Sequence, residues 1–313
     1  MAVDLLGGDH APAVVVDGAL LACQADPALK LLLVGPVEAA GEVLAALDPA
    51  DRGRVRSLAA AGTPVSHPAH AGWIESGVRA AVLAVAQGNA DAVVSAGSTG
   101  ATVTSAALGL GRWPGVRRPA LAAVLPTVAG RMVLLDVGAS VDPDEHTLAT
   151  HALLGAAYAS TAHARSAPRV GLLTIGTEPG KGDQLRRVAA AELARLDLPG
   201  EGRYIGLVEG NHVVTGDACD VVVTDGYTGN VLLKGLETAY ATLGPPGAPD
   251  TVPPRAAVLL GVSGTVVVCH GAATGPDLAA GIALAADLHR RAAVNAIAAL
   301  MSARSTHEVS DEQ

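Results

Sequence analysis

The feature of this sequence that most constrains its fold is a repeated alternation of short apolar runs, glycine-bearing turns and alanine-rich helical stretches. It occurs at VDLLGGDHAP, KLLLVGP, ADAVVSAGSTG, RMVLLDVGAS, PRVGLLTIGTEPGKG, DVVVTDGYTGN and TVVVCHGAATG. Continuous apolar runs are typical of strands covered on both faces, and strands that alternate with helices usually pair in parallel. The pattern therefore predicts a three-layer α/β/α sandwich with a mostly parallel sheet.

The alternation extends over residues 1–300, which we interpret as one α/β/α domain with one or two lobes. A proline-rich stretch at 244–254 predicts an extended connector, and the polar residues 301–313 predict a disordered tail. Glycines and hydroxyls split the apolar segment 256–271, so it predicts two buried strands rather than a membrane span. Because Asp4 interrupts the first apolar run, we expect no secretion leader and a cytoplasmic protein.

The charge and the cysteines exclude several classes of function. A formal net charge of -9 argues against nucleic-acid binding, because phosphates require a basic surface. Cys23, Cys219 and Cys269 are widely spaced and match no metal-ligand pattern, and the histidine pairs within 67–70 and 146–151 lack zinc spacing. We therefore expect reduced thiols and no metal site.

Cys269 stands beside His270, an arrangement that raises the question of a thiol nucleophile. Successive side chains of a strand point to opposite faces, so the two residues cannot pair directly if the strand continues through both. Free cysteine is commonly interior, and we interpret Cys269 as a buried, inert thiol.

Polar residues gather in the loops that follow the predicted strands. In a parallel sheet these loops meet at the carboxyl edge, where glycines let the backbone approach a ligand and helix N-termini present N–H groups to an anion. None of the loops has Walker A spacing, and no GxGxxG opens a helix with an acid at the expected distance. The edge therefore predicts phosphate binding without a nucleotide.

Each of these loop residues also has a purely structural interpretation. Ser98 and Thr99 offer hydroxyls to a ligand, or they cap the next helix. Lys181 neutralises a phosphate, or it is simply solvated. His10 and His270 both follow predicted strands, so one of them could polarise a carbonyl or hold phosphate, although an isolated histidine is usually structural.

Two further features each have a structural and a functional interpretation. Asp225 could cap the helix that follows it and do nothing more. Arg112, Arg117 and Arg118 concentrate positive charge in an acidic chain. They form either a solvated loop or a docking patch for an acidic carrier.

Taken in order, these motifs make the chain resemble the bacterial phosphate acyltransferases of phospholipid synthesis, the PlsX family. The resemblance rests on AVDLLGGDHAP, NADAVVSAGSTGA, GRWPGVRRPALAAVLPT, LLDVGAS, PRVGLLTIGTEPGKG, GLVEG, DVVVTDGYTGNVLLK and LLGVSGTVVVCHG, which follow the family's order. It implies transfer of a fatty acyl group from acyl carrier protein to inorganic phosphate, with no cofactor. It also implies a homodimer and a fold related to the phosphotransacetylases and the isocitrate/isopropylmalate dehydrogenases.

The resemblance and the loop chemistry together suggest roles for particular residues. The candidates for catalysis are His10, Lys181, Asn230 and His270. The candidates for binding phosphate or substrate are Gly7, Gly8, Asp9, Ser98, Thr99, Gly100, Asp136, Glu178 and Asp225. The carboxylates among them are expected to orient partners rather than meet phosphate. Contact with the carrier protein falls to Arg112, Arg117 and Arg118.

The chain departs from the family at several positions. Ser98 and Ser140 stand where the family has asparagine, and HGAAT lacks the hydroxyls of the family's HGSS-like motif. The 244–254 connector replaces a long helical hairpin, so we predict weak or no membrane association and an altered or lost dimer interface. Two alternatives stay open: a phosphotransacetylase-like transfer from acyl-CoA, and a catalytically silent paralogue that binds acyl carrier or acyl phosphate.

Overall fold

The structure is a computed structural model that describes residues 1–60, 77–178, 180–247 and 254–310, with 304–310 described by their backbone alone. Short 3₁₀ turns lie at Arg52–Arg54 and Pro199–Glu201. The remaining elements are, in chain order, β1 (Ala2–Asp4), α1 (Ala13–Ala25), β2 (Leu31–Gly35), α2 (Val37–Ala46), β3 (Val55–Ala59), α3 (Gly77–Ala86), β4 (Ala92–Ser95), α4 (Thr99–Gly109), β5 (Ala120–Thr127), β6 (Gly130–Leu135), α5 (Glu145–Ala162), β7 (Arg169–Leu173), α6 (Gln184–Leu193), β8 (Arg203–Val208), α7 (Gly210–Thr215), β9 (Val221–Val223), α8 (Gly226–Leu243), β10 (Ala256–Leu260), β11 (Thr265–Cys269), α9 (Gly275–Arg290) and α10 (Ala293–Ser310).

The chain forms two compact units. The first comprises Met1–Arg112 and Val262–Arg291, and the second comprises Trp113–Gly261 and Ala292–Gln313. Each unit contains strands and the helices that pack on them.

In the first unit the strands are all parallel, in the order β3-β2-β1-β4-β11. Every residue of β1, β4 and β11 is buried, because helix α3 packs against β1 and β4 while α9 packs against β4 and β11. This double coverage is the reason that their sequences are continuously apolar. The loops that leave β1, β4 and β11 therefore emerge side by side at one edge.

In the second unit the order is β10-β5-β6-β9-β7-β8. Strand β5 runs antiparallel to both β10 and β6, whereas β6, β9, β7 and β8 are parallel. Helix α5 packs against β6, β9 and β7 with most of its side chains buried. Leucine, valine and alanine fill most of the interior, and in the absence of phenylalanine the buried rings are those of Trp113, Tyr158 and Tyr240.

The predicted fold class is confirmed: a mostly parallel sheet has helices packed on it, and segment 256–271 contains two buried strands, β10 and β11. The prediction of a disordered tail is wrong for residues 301–310, because α10 continues to Ser310. From Ala293 to Ser310 the sequence is alanine-rich and has no glycine or proline to end the helix. Residues 248–253 of the connector lie outside the described residues. No helix in the described ranges has both the length and the apolar character needed to cross a membrane.

Candidate functional site

The carboxylate of Asp4, at the end of β1, ties together two loops of the first unit. Its Oδ2 accepts a hydrogen bond from Ser95 Oγ at 2.7 Å, and its Oδ1 accepts one from the Leu6 N–H at 3.1 Å. Ser95 Oγ in turn accepts a bond from the Gly97 N–H at 3.0 Å. Burial raises the pKa of Asp4, although the bonds from Ser95 and Leu6 oppose the rise. Neither Asp4 nor Ser95 is among the site residues predicted from the sequence.

The same loops approach each other so closely that glycine is required. A Cβ at Gly7 would lie 2.6 Å from the backbone nitrogen of Gly97, and Gly8 has a φ of +112°, which favours glycine. The third loop joins them where the Asp9 N–H donates to the Gly271 carbonyl at 2.7 Å. The loops that follow β1, β4 and β11 are therefore interlocked.

The interlocked loops leave hydrogen-bonding groups available. Ser98 occupies the N-cap position of α4 but makes no capping bond through its side chain, so its exposed hydroxyl is unused. The exposed His270 accepts a bond at Nδ1 from the Ala272 N–H at 3.1 Å. The neutral imidazole of His270 therefore carries its proton on Nε2, where it is available as a donor.

The first unit thus gathers part of the predicted set at one edge. The N-terminus of α4 adds backbone N–H groups that have no partner within the helix and favour a negative charge. The three loops contain Gly7, Gly8, Asp9, His10, Ser98 and His270, and α4 begins with Thr99 and Gly100. The arrangement can hold a small oxyanion and can donate hydrogen bonds to an adjacent carbonyl.

In the second unit, Asp136 organises the loop after β6. It is fully buried, and its carboxylate accepts hydrogen bonds of 2.5 to 3.1 Å from the backbone N–H groups of Leu121, Gly138, Ala139 and Ser140. Both oxygens are therefore engaged by the protein. Asp136 shapes the loop and presents no oxygen to a ligand.

The loop after β9 leads into α8, where two predicted residues have internal partners. Asp225 caps the helix by accepting a bond from the Thr228 N–H at 2.8 Å, as the structural interpretation predicts. Asn230 Nδ2 donates to the Val137 carbonyl at 3.1 Å. One N–H and the Oδ1 of Asn230 remain for other partners.

Arg186, on α6, is a buried cation that is not among the site residues predicted from the sequence. It is 9% exposed, and it donates to the Asp225 carboxylate. Its other acceptors, at 2.8 to 3.4 Å, are Asp183, Leu173, Thr224 and Thr228. Burial raises the pKa of Asp225, but the bonds from Thr228 and Arg186 outweigh burial and hold that pKa below its usual value. The adjacent arginines at 186 and 187 offered no pattern to tell the buried one from the exposed one.

Glu178 and Lys181 lie in the loop after β7. Their side chains fold over Gly176, where a Cβ would meet Glu178 Oε2 at 2.8 Å and Lys181 Cγ at 3.2 Å. The Lys181 N–H donates to the Glu178 carbonyl at 3.1 Å, which closes the turn. Both residues are exposed, so their charged groups can reach a ligand.

The arginines predicted to contact a carrier are all exposed. Arg117 lies 3.3 Å from Asp144, and Arg118 donates to the Asp142 carbonyl at 3.2 Å. Arg112 belongs to the first unit and the other two to the second.

The cysteines and histidines in the described ranges form no metal centre. Cys269 is 3% exposed and burial raises its pKa to about 12, so the prediction of a buried thiol is confirmed. His146 pairs with Glu192 at 2.6 Å, and His67 and His70 lie outside the described residues. Within the described part of the chain, no group of three or more His, Cys, Asp or Glu side chains could hold a metal.

Comparison with known proteins places this geometry in context. The sequence matches the family described as "Fatty acid synthesis protein" over residues 1–244. It is 40% identical to the phosphate acyltransferase of Thermobifida fusca (strain YX), over 92% of this chain and 87% of that protein. It is 35% identical to the phosphate acyltransferase of Rhodobacter capsulatus, over 92% of this chain and 79% of that protein. The EutD phosphotransacetylase from Staphylococcus aureus superposes with a TM-score of 0.59 at 18% identity, covering 95% of this chain and 94% of that chain. This last likeness concerns the fold alone.

Proposed function

This chain belongs to the PlsX family of phosphate acyltransferases, and on that basis we propose the donor. We propose that the enzyme moves a fatty acyl group from acyl carrier protein to inorganic phosphate. The product is an acyl phosphate, a mixed anhydride that serves phospholipid synthesis. The acyltransferase activity follows from the family, whereas the donor and the use of the product are the proposal.

The reaction needs no covalent enzyme intermediate. An oxygen of hydrogen phosphate attacks the thioester carbonyl carbon, and a C–O bond forms as the C–S bond breaks. The electron pair of the C–S bond leaves with sulfur, which takes up the proton that phosphate gives up. The enzyme therefore has to position phosphate, stabilise negative charge on the carbonyl oxygen and exclude water.

The observation that carries the proposal is the interlocking of the loops after β1, β4 and β11 in the first unit. We infer that the unused Ser98 hydroxyl, Thr99 and the first-turn N–H groups of α4 bind phosphate. Gly7 and Gly8 let the backbone come close to it. The Ser98 hydroxyl and the first-turn N–H groups suit this role because neither has a partner within α4.

Stabilisation of the carbonyl oxygen falls to a donor at the same edge. We infer that the Nε2–H of His270 serves, with His10 as the second candidate. Lys181 and Asn230, in the second unit, remain predictions from the sequence, and so does the carrier contact of Arg112, Arg117 and Arg118. We also keep the proposals of one acyltransferase domain over 1–300 with one or two lobes, a cytoplasmic location, an altered or lost dimer interface, and weak or no membrane association.

The test offers the purified chain two donors of the same acyl length, an acyl carrier protein thioester and an acyl-CoA, each with and without phosphate. Mass spectrometry is expected to detect acyl phosphate from the carrier thioester, together with phosphate-dependent release of free thiol. Formation of acyl phosphate from acyl-CoA but not from the carrier thioester would refute acyl carrier protein as the donor. Carrier binding without any phosphate-dependent loss of thioester would refute turnover and favour a silent paralogue.

A further inference from the structure

A basic cluster separate from the proposed acyl-transfer site lies in the second unit, at the amino edge of its parallel strands. A cavity of about 480 Å³ is lined there by Ala164, Arg165, Ser166, Ala167, Arg169, Arg203 and Asp220. Arg169 and Arg203 are the first residues of β7 and β8, so this amino-edge cavity lies opposite the loops that contain Asp136 and Asp225. None of the residues proposed for acyl transfer lines it.

The cavity brings like charges together. Arg169 and Arg203 are register partners on adjacent parallel strands. Neighbouring strands lie roughly 4.8 Å apart, and like charges side by side on them destabilise a sheet. Arg165 adds a third guanidinium in a chain whose net charge is -9. Such a concentration of positive charge attracts a negatively charged ligand.

The protein itself supplies part of the compensating negative charge. Asp220 accepts hydrogen bonds from Arg169 Nε at 3.1 Å and Nη2 at 3.3 Å, and Arg169 Nη1 donates to the Asp217 carbonyl at 2.7 Å. The side-chain hydrogen bonds of Asp220 thus go to Arg169. Burial raises the pKa of Asp220, but the bonds from Arg169, together with the charges of Arg169 and Arg165, outweigh burial and lower that pKa. Among the described residues, no hydrogen bond or ion pair involves the guanidinium of Arg165 or of Arg203.

The backbone around the cavity is fixed. The Arg165 N–H donates to the Ala159 carbonyl and the Arg203 N–H to the Pro168 carbonyl, both at 3.0 Å. The Ala167 N–H donates to the Gly200 carbonyl at 3.0 Å. The two unpaired guanidinium groups therefore extend from anchored backbone positions, which reduces the entropy lost when they bind a ligand.

We propose that the amino-edge cavity binds a small polyanion that carries two linked phosphate groups. A guanidinium matches a phosphate with paired hydrogen bonds, and Arg165 and Arg203 provide one guanidinium for each phosphate. The volume falls within the range of small-molecule sites, and the lining contains no large apolar side chain, so recognition rests on charge. This site goes beyond acyl transfer, because it lies at the other edge of the strands and uses other residues.

The test is isothermal titration calorimetry of the full chain with inorganic pyrophosphate. The wild type is expected to bind one pyrophosphate per chain, more tightly at low ionic strength. Arg165→Ala and Arg203→Ala are each expected to weaken binding about tenfold, because each removes a charge-assisted pair of hydrogen bonds. Arg56→Ala is the matched control, since Arg56 is an exposed arginine on the edge strand β3, outside the cavity. Its binding is expected to equal that of the wild type.

Three results would overturn the proposal. They are absence of binding, unchanged binding in the Arg165→Ala/Arg203→Ala double variant, and an equal loss in Arg56→Ala. Orthophosphate is expected to bind at least about tenfold more weakly than pyrophosphate, since one phosphate cannot engage both arginines. Equal affinity would contradict the requirement for two phosphates. If thermal melts show that the alanine variants unfold, Arg165→Lys and Arg203→Lys keep the charge but lose the paired geometry, and they are expected to lie between the alanine variants and the wild type.

Discussion

Ser95 Oγ donates a 2.7 Å hydrogen bond to the buried carboxylate of Asp4, across the adjacent parallel strands β1 and β4. The two residues are 91 positions apart in the sequence. Their bond links the glycine loop after β1 to the loop that ends in Ser98. The position of the proposed phosphate-binding groups therefore depends on a pair that does not itself contact phosphate.

Replacing Ser95 by alanine is expected to lower the free energy of unfolding by about 1 to 3 kcal/mol, because the buried Asp4 Oδ2 and the Gly97 N–H both lose their partner. Urea denaturation measures the change. Ser98→Ala is the matched control, since the Ser98 side chain makes no capping bond, and it should alter stability by less than about 0.5 kcal/mol. Equal losses of unfolding free energy in the two variants would show that the Asp4–Ser95 hydrogen bond does not stabilise the fold.

Ser98→Ala should instead affect catalysis. Loss of a hydroxyl that donates to a charged oxygen is expected to raise the KM for phosphate about tenfold. Ser98→Thr keeps the hydroxyl and should retain most of the affinity. Steady-state rates over a range of phosphate concentrations check both values, and an unchanged KM in Ser98→Ala would remove this hydroxyl from the phosphate contacts.

The stability of the fold should depend on pH through Asp4. Burial raises the pKa of Asp4 above its ordinary 3.8, so between pH 3.8 and the pKa of Asp4 in the folded state, the folded protein binds more protons than the unfolded protein. Stability contributed by Asp4 is therefore greatest below pH 3.8 and falls as pH rises through the folded pKa. Urea melts of the wild type and Asp4→Asn across a pH series should show that the unfolding free energy of the wild type minus that of the variant falls as pH rises, because other carboxylates such as Asp225 contribute alike to both proteins. The exposed Asp48→Asn serves as control and should keep the wild-type slope.

Arg186 and Arg187 are neighbours in sequence, but Arg186 is buried and paired with Asp225 whereas Arg187 is exposed. Arg186→Ala leaves the Asp225 carboxylate without its cation and is expected to cost about 3 to 5 kcal/mol of unfolding free energy. Arg187→Ala removes one exposed bond to the Gly182 carbonyl and should cost less than about 1 kcal/mol. Chemical denaturation of the two variants measures the difference, and similar losses would contradict a buried structural role for Arg186.

Lys181→Ala should raise the phosphate requirement. An exposed lysine that meets a phosphate contributes charge, and its removal is expected to raise the KM for phosphate about tenfold with little change in kcat. Lys234→Ala, an exposed lysine on α8, is the control and should behave as wild type. An identical phosphate dependence in Lys181→Ala and wild type would exclude Lys181 from phosphate binding.

Much of the fold could be predicted because its cues are local. Continuous apolar runs such as AVVS and TVVVC are buried on both faces in β4 and β11, and glycine turns follow them. The same cues placed His270 and Ser98 just after strands. They failed at the tail, where no glycine or proline ends the helix and α10 continues to Ser310 despite the polar side chains.

The sequence by itself determined the strand–loop–helix order, the parallel sheet and the family, because these depend on periodicity and on motifs read along the chain. Only the tertiary structure decided which polar groups already have partners. Asp136 and Asp225 are engaged by backbone N–H groups and by Arg186, whereas the side chains of Ser98, Arg165 and Arg203 donate to no other residue in the described ranges. The physical reason is that packing between segments far apart in sequence decides which groups form hydrogen bonds. A local sequence pattern does not show which distant segments will pack together.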